Sequence, residues 1–286
     1  MFARVAIVGF GLVGGSIALA VRERYPAARL VAIDRQPVVD LAVRLRAADG
    51  GGDALALAAG AELIVLAAPV RQNIAILRDL AQHVPAEALV TDVGSTKRAT
   101  VAAAAALPPR LRFVGGHPLA GAAAGGVEMA RADLFRARPW ILTPASSTDP
   151  ADVAAIGDFV AALGATVKTM DAQAHDRLMA YLSHLPQLAV SALMQVVGEH
   201  AGAEGLAFAG TGLRDTTRLA ASPATTWRDV AATNVDVVGA AIDDLIATLQ
   251  RLKVDLAAGD ELQRVFDAAA QWKRALEDPV PGSHAE

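Results

Sequence analysis

RVAIVGFGLVGGS, residues 4–16, carries an apolar run of strand character directly into a glycine-rich turn and then into a helix-period stretch. Gly9, Gly11 and Gly14 fall in the spacing G-x-G-x-x-G. In that spacing the first glycine permits a tight turn, the second lets backbone approach a pyrophosphate, and the third lets helix and strand pack closely. The free N–H groups of the helix N-terminus then face the phosphates. A second apolar run, LVAIDR at 30–35, ends in Asp34, twenty residues after Gly14, where a carboxylate can hold ribose hydroxyls. Strand, turn, helix, second strand and terminal acid together indicate a dinucleotide-binding domain. Asp34 favours NAD because a carboxylate repels a 2′-phosphate, and Arg35 beside it leaves NADP open as a second cofactor.

The pattern continues outward from this unit. Apolar runs at 4–8, 30–33, 63–67, 89–91, 112–114 and 140–143 alternate with helix-period stretches such as 14–25, 38–48 and 151–163. That alternation implies an α/β fold, a doubly wound parallel sheet of Rossmann type, with one more short strand at 164–170. From Asp171 onward only helix signals remain: a long apolar pattern at 175–200 interrupted by Pro186, a second starting after Pro223, and a third opening at Gly259. The expected division is therefore a dinucleotide-binding domain at 1–170 and an all-helical domain at 171–286, whose long apolar faces would bury against a second subunit.

Composition narrows the classes. The 286 residues are 53% hydrophobic, 20% charged and 4% aromatic, a globular balance in which only the last residues, PVPGSHAE, read as a tail. The absence of cysteine excludes disulfides, thiolate metal sites and a cysteine nucleophile. A formal charge of −4 offers no electrostatic case for nucleic acid or an anionic membrane. The most apolar window, 54–70, is broken by Gly60, Glu62 and Pro69 and is shorter than the ~20 residues that span a bilayer. A cytoplasmic protein acting on a small molecule is expected.

Chemistry is concentrated in four further stretches: TDVGSTK at 91–97, GGHPLAG at 115–121, SHLPQ at 183–187 and GTGLRDTTR at 210–218. The first two follow strands and should lie on the carboxyl edge of the sheet, where open α/β sheets bind ligands. His117, between glycines and a proline and with an ordinary pKa near neutrality, reads as a loop base, and Ser95 should lie close to it. Asp92 and Ser95 could also serve simply as caps of a helix over 96–106, and Arg214 and Arg218 could line a solvated face.

GFGLVGGS, DVGSTK, GGHPLAG, SHLPQ and LRDTTRLA, in this order and spacing, resemble the prephenate/arogenate (cyclohexadienyl) dehydrogenases of tyrosine biosynthesis over about residues 4–275. The resemblance implies a Rossmann domain, a helical domain that makes a homodimer, and NAD(P)-dependent oxidative decarboxylation of a cyclohexadienol without a metal. It further implies that His117 is the general base, that Ser95 holds nicotinamide and substrate hydroxyl in register, and that Arg218 binds a substrate carboxylate. His184 matches a pocket histidine, and Glu128 and Asp215 match acids near the mouth of the site. Gln187 stands where many prephenate-preferring members carry a second histidine, which points to acceptance of arogenate, since a neutral amide can turn its oxygen to an ammonium. No fused mutase or regulatory domain is expected. Two other readings remain open at this point. A β-hydroxyacid-type dehydrogenase would need a lysine in the helical domain, where only Lys253 and Lys273 lie, and a non-catalytic NAD sensor would need no base.

Overall fold

The computed structural model describes residues 1–121 and 125–277; the PVPGSHAE tail and the Ala122–Ala124 run lie outside them. The strands are β1 Arg4–Val8, β2 Arg29–Ile33, β3 Gly50–Gly52, β4 Leu63–Leu66, β5 Ala88–Asp92, β6 Leu111–Pro118, β7 Pro139–Thr143 and β8 Thr166–Thr169. They form one sheet in the order β3-β2-β1-β4-β5-β6-β7-β8. β1 through β4 carry almost no exposed side chains, as expected of strands covered on both faces. The helices α1 Leu12–Arg24, α2 Gln36–Arg44, α3 Val70–His83, α4 Arg98–Ala104 and α5 Pro150–Ala162 supply that cover. One apolar core contains Ile7, Ile17, Leu30, Trp140 and Phe159, the other Val8, Ile64, Leu77 and Leu111.

Three features of the sheet differ from the sequence reading. β6 and β7 pair antiparallel, with His117 opposite Ile141, so the sheet is mostly rather than wholly parallel. β3 is a strand of three glycines, and Gly51 is required there because a Cβ would sit 1.9 Å from the Ala32 carbonyl oxygen. GGHP is not a loop but the end of β6. Its glycines answer to crowding, not to positive φ: a Cβ on Gly115 would meet Thr143 Oγ1 at 2.4 Å, and one on Gly116 would meet the Asp92 backbone oxygen at 2.7 Å.

After β8 the chain is helical: α6 Ala172–Met179, a π-helical turn Ala180–His184, α7 Leu185–Leu206, α8 Thr211–Thr216, a 3₁₀ turn Arg218–Ala221, α9 Ala224–Thr233, α10 Val235–Asp255 and α11 Asp260–Glu277. Asp171 starts α6 by accepting from Gln173 and Ala174 N–H at 2.8 and 3.0 Å. Pro186 does not break the helix. Its ring excludes the usual i−4 acceptor, and the preceding turn widens to π geometry instead, with Pro186 seated in the first turn of α7. Contacts along the chain group it into two compact units, Met1–Val238 and Gly239–Glu286. Every site residue discussed below belongs to the first. Among the described residues no helix is long and apolar enough to cross a membrane.

Candidate active site

β1 is flanked by β2 and β4, so the sheet order reverses at its carboxyl end and leaves a crevice there. Gly9 turns the chain at φ +89, and its N–H bonds to the Ile33 carbonyl at 2.9 Å. The three motif glycines differ in what confines them. A Cβ on Gly9 would lie 2.4 Å from Ala68 N, and one on Gly14 would lie 2.1 Å from Gly9 O; one on Gly11 would meet nothing within 4 Å. Gly11 therefore faces open space, and that space is the cradle the second glycine of such a motif offers to a phosphate. A cavity of about 620 Å³ runs from Gly9 and Gly11 to Asp34 and Arg35. One Asp34 oxygen accepts from Phe10 N–H and the other from Arg35 N–H, both at 2.7 Å, which aims the carboxylate while leaving lone pairs for hydroxyls. The Arg35 side chain is exposed.

A second cavity, about 450 Å³, shares Gly11, Ala67, Ala68 and Pro69 with the first and extends to Ser95 and His117. Asp229 and Val230 of α9 also line it. The crevice thus runs from Asp34 at one end to His117 at the other.

His117 stands at the head of a relay. Its Nδ1 meets His175 Nε2 at 2.9 Å, and His175 Nδ1 meets Asp176 Oδ1 at 2.9 Å. Asp176 can only accept, so His175 donates from Nδ1; its Nε2 then accepts in the neutral ring, His117 donates from Nδ1, and the lone pair of His117 Nε2 is left for the cavity. Burial, with the neighbouring His175, Lys97 and His184 adding to it, holds the His117 pKa well below the ordinary histidine value. His117 is therefore neutral near pH 7 and able to take a proton. Burial alone would raise the Asp176 carboxyl, but hydrogen bonds from His175 and from the backbone N–H groups of Arg98 and Lys97 outweigh it and keep the group ionised. Those two N–H groups lie at the start of α4, at 3.0 and 2.7 Å. Asp176 thereby supplies from α6 the acceptor for the first N–H groups of α4, the capping role left open above for Asp92 and Ser95. Asp92 instead accepts from Gly94 N–H at 2.8 Å and Gly116 N–H at 3.2 Å and pairs with Lys97. Asn234 ties the assembly, donating to the Asp176 carbonyl and accepting from Arg98, each at 2.9 Å.

His184 is 1% exposed with neither ring nitrogen partnered, and its ring stands edge-on to Trp227 at 6.1 Å. Burial brings its pKa to about 4. A buried ring without partners is costly unless a bound molecule supplies them. Gln187 is buried, and its amide is engaged within the protein: Nε2 donates to the Leu219 carbonyl at 2.8 Å and to Ser191 at 3.1 Å, and Oε1 accepts from Ser222 at 3.0 Å. Arg218, one residue before Leu219, is exposed and outside the lining of the His117 cavity, as are Glu128 and Asp215. The structure thus brings Ser95 and His117 into one cavity, sets His184 close behind, and places Gln187 against the turn that carries Arg218. His175 and Asp176 are not marked as site residues in the sequence beyond the adjacent His-Asp pair within AQAHDRLM, and Lys97 is marked only as the last residue of TDVGSTK, with no role attached.

Sheet order, glycine turn and the acid at the end of β2 define a nucleotide-binding protein of Rossmann type. Comparison with known proteins narrows this. The prephenate dehydrogenase nucleotide-binding domain matches residues 17–169, and the prephenate dehydrogenase dimerization domain matches residues 171–268. Prephenate dehydrogenase of Bacillus subtilis is 33% identical over 95% of this chain and 76% of its own. Cyclohexadienyl dehydrogenase of Zymomonas mobilis is 30% identical over 96% and 97%. The crystal structure of prephenate dehydrogenase from A. aeolicus in complex with hydroxyphenyl propionate and NAD+ superposes with a TM-score of 0.89 at 30% identity, covering 97% of this chain and 99% of that one. The chain belongs to the prephenate dehydrogenase family, a family of oxidoreductases.

Proposed function

We propose that the protein oxidatively decarboxylates prephenate, L-arogenate or both with NAD, giving 4-hydroxyphenylpyruvate from the first and L-tyrosine from the second. The observation that carries this reading is the relay, which leaves His117 Nε2 as a neutral acceptor in the same cavity as Gly11 and Ser95. When bound along the crevice, NAD supplies the hydride acceptor. His117 Nε2 accepts the proton of the substrate's ring hydroxyl, so the C–O bond becomes a carbonyl as the carbinol carbon gives up hydride. Loss of CO2 then restores aromaticity and leaves the ring oxygen as a phenolate, the proton held on His117 returns to that oxygen, and the product leaves as a phenol with the base neutral again. Ser95 holds the hydroxyl and nicotinamide in register.

The Arg218 fork takes a substrate carboxylate, and the unpartnered nitrogens of His184 find their partners on the substrate. Gln187 acts on substrate through the turn it holds, next to Arg218. Residues 1–170 bind the cofactor, and 171–286 complete the substrate pocket and form a homodimer in the cytoplasm. Phe266, Trp272 and Leu276 of α11 remain 64, 72 and 78% exposed in the single chain, surface that a second copy would cover. The test is steady-state NADH formation with prephenate and with arogenate. Turnover of either with release of one CO2 per NADH supports the reading, and no turnover of both rejects it.

A further inference from the structure

The relay accounts for His117, His175 and Asp176 but leaves Lys97 unexplained. Its side chain and that of Asp92 are both 0% exposed. Replacing a buried ion pair by apolar residues is often neutral or stabilising, so stability is a weak reason for one to be present. Its connections are more informative. Parallel pairing of β5 with β6 ends at Thr91 and Val114. Beyond that point side chains take over the ladder: Asp92 accepts from Gly116 N–H at 3.2 Å, and Lys97 Nζ donates to the Gly116 carbonyl at 2.7 Å and to Asp92. Both polar groups of the residue before His117 are thereby held by the pair. At its other end, Lys97 donates its backbone N–H to Asp176 Oδ1 at 2.7 Å, the same oxygen that receives His175 Nδ1. One residue therefore bonds the strand that carries the base and the acid that ends the relay.

We propose that Lys97 is a positioning residue, which fixes the reach between His117 and His175 by tying Gly116 to Asp176 through its side chain and backbone. The inference rests on the reading of His117 as the base. It also gives Lys97 an electrostatic duty. The charged and titratable groups around His117 are His175 and Asp176 of α6, His184 of the π turn, Asp229 of α9, and the Lys97–Asp92 pair. Within that set the Lys97 ammonium opposes protonation of His117. Loss of the cation should therefore let His117 take a proton at higher pH.

Lys97→Met removes the ammonium but strands a buried carboxylate, so Asp92→Asn/Lys97→Met serves as the second variant, in which the amide can still accept from Gly116 N–H. Two readouts are taken on each. Histidine NMR on the cofactor-free protein, with the His117 signal assigned by His117→Asn, follows the ring against pH. Steady-state kinetics and NAD titration give kcat and Kd. The expected result is a His117 titration moved to higher pH than in wild type, with kcat down about 100-fold, the usual cost of a small misplacement, and Kd for NAD unchanged. A folded variant whose His117 titrates as in wild type overturns the proposal, as does one with unaltered kcat. A double variant that fails to fold overturns it too, by assigning the pair to folding. If wild type turns over neither substrate, the reading of function fails, while the NMR arm still judges Lys97.

Discussion

The two ends of the crevice are built in opposite ways. At the Asp34 end the decisive residues lie within one β-α-β unit: Gly9, Gly11, Gly14 and the acid closing β2 span 26 residues, and the backbone does most of the work. At the His117 end the machinery is made largely of side chains from β5, β6, α6 and the start of α4, brought together across 79 positions of sequence in the Lys97–Asp176 bond and 136 in the Arg98–Asn234 bond. The first end depends on absent side chains and the second on exact side-chain partners. Substitutions should therefore fail differently at the two ends.

The largest effect is expected at the histidine end. His117→Asn should lower kcat by roughly 10²–10⁴-fold, the usual worth of a general base, with Kd for NAD unchanged. A loss of NAD binding of similar size would erase the distinction between the ends. Arg218→Ala should raise KM for the cyclohexadienyl substrate by roughly 10–100-fold through loss of a charge-assisted fork, and leave KM for NAD near wild type.

The glycines allow a sharper comparison inside the cofactor end itself. Gly14→Ala places a Cβ against the Gly9 carbonyl and should cost about 1–3 kcal/mol of stability, seen as a lower melting temperature. Gly11→Ala meets no protein atom, so it should melt like wild type yet bind NAD several-fold more weakly by calorimetry. Equal melting temperatures with equal NAD affinity would remove the phosphate cradle from the account. Wild type should have a higher kcat/KM with NAD than with NADP, and Asp34→Asn should narrow that gap by about tenfold, since it removes the charge that opposes a 2′-phosphate while the exposed Arg35 stays. The smallest effect is expected at Gln187. Because its amide is engaged by Leu219, Ser191 and Ser222, Gln187→His should move the ratio of kcat/KM values towards prephenate by no more than about tenfold. A shift of a hundredfold would mean that Gln187 touches substrate directly.

The same contrast explains what could be read from the sequence. The Gly9-to-Asp34 unit, the alternation of strands and helices and the helical region after Asp171 were legible because each depends on local periodicity or on turn chemistry. Pairing direction was not: nothing in PWILT distinguishes the antiparallel partner of β6 from a further parallel strand. His117 stands out in the sequence as a candidate but its setting does not, since Gly115 and Gly116 answer to Thr143 and Asp92 across the sheet rather than to a turn. His175 and Asp176 look like ordinary helix polar residues until folding buries them against α4. Pro186 suggested an interruption, and a widened turn absorbs it, a solution that depends on neighbours in space.

The central claim is that folding holds His117 neutral so that it can accept the substrate proton. The dependence of kcat/KM on pH tests it directly, because its acid limb reports the base of the free enzyme. The account predicts that initial rates stay level down through the ordinary histidine range and fall only at more acid pH, and that His117→Asn removes that limb together with most of the rate. A wild-type limb centred at or above the ordinary histidine value would contradict it.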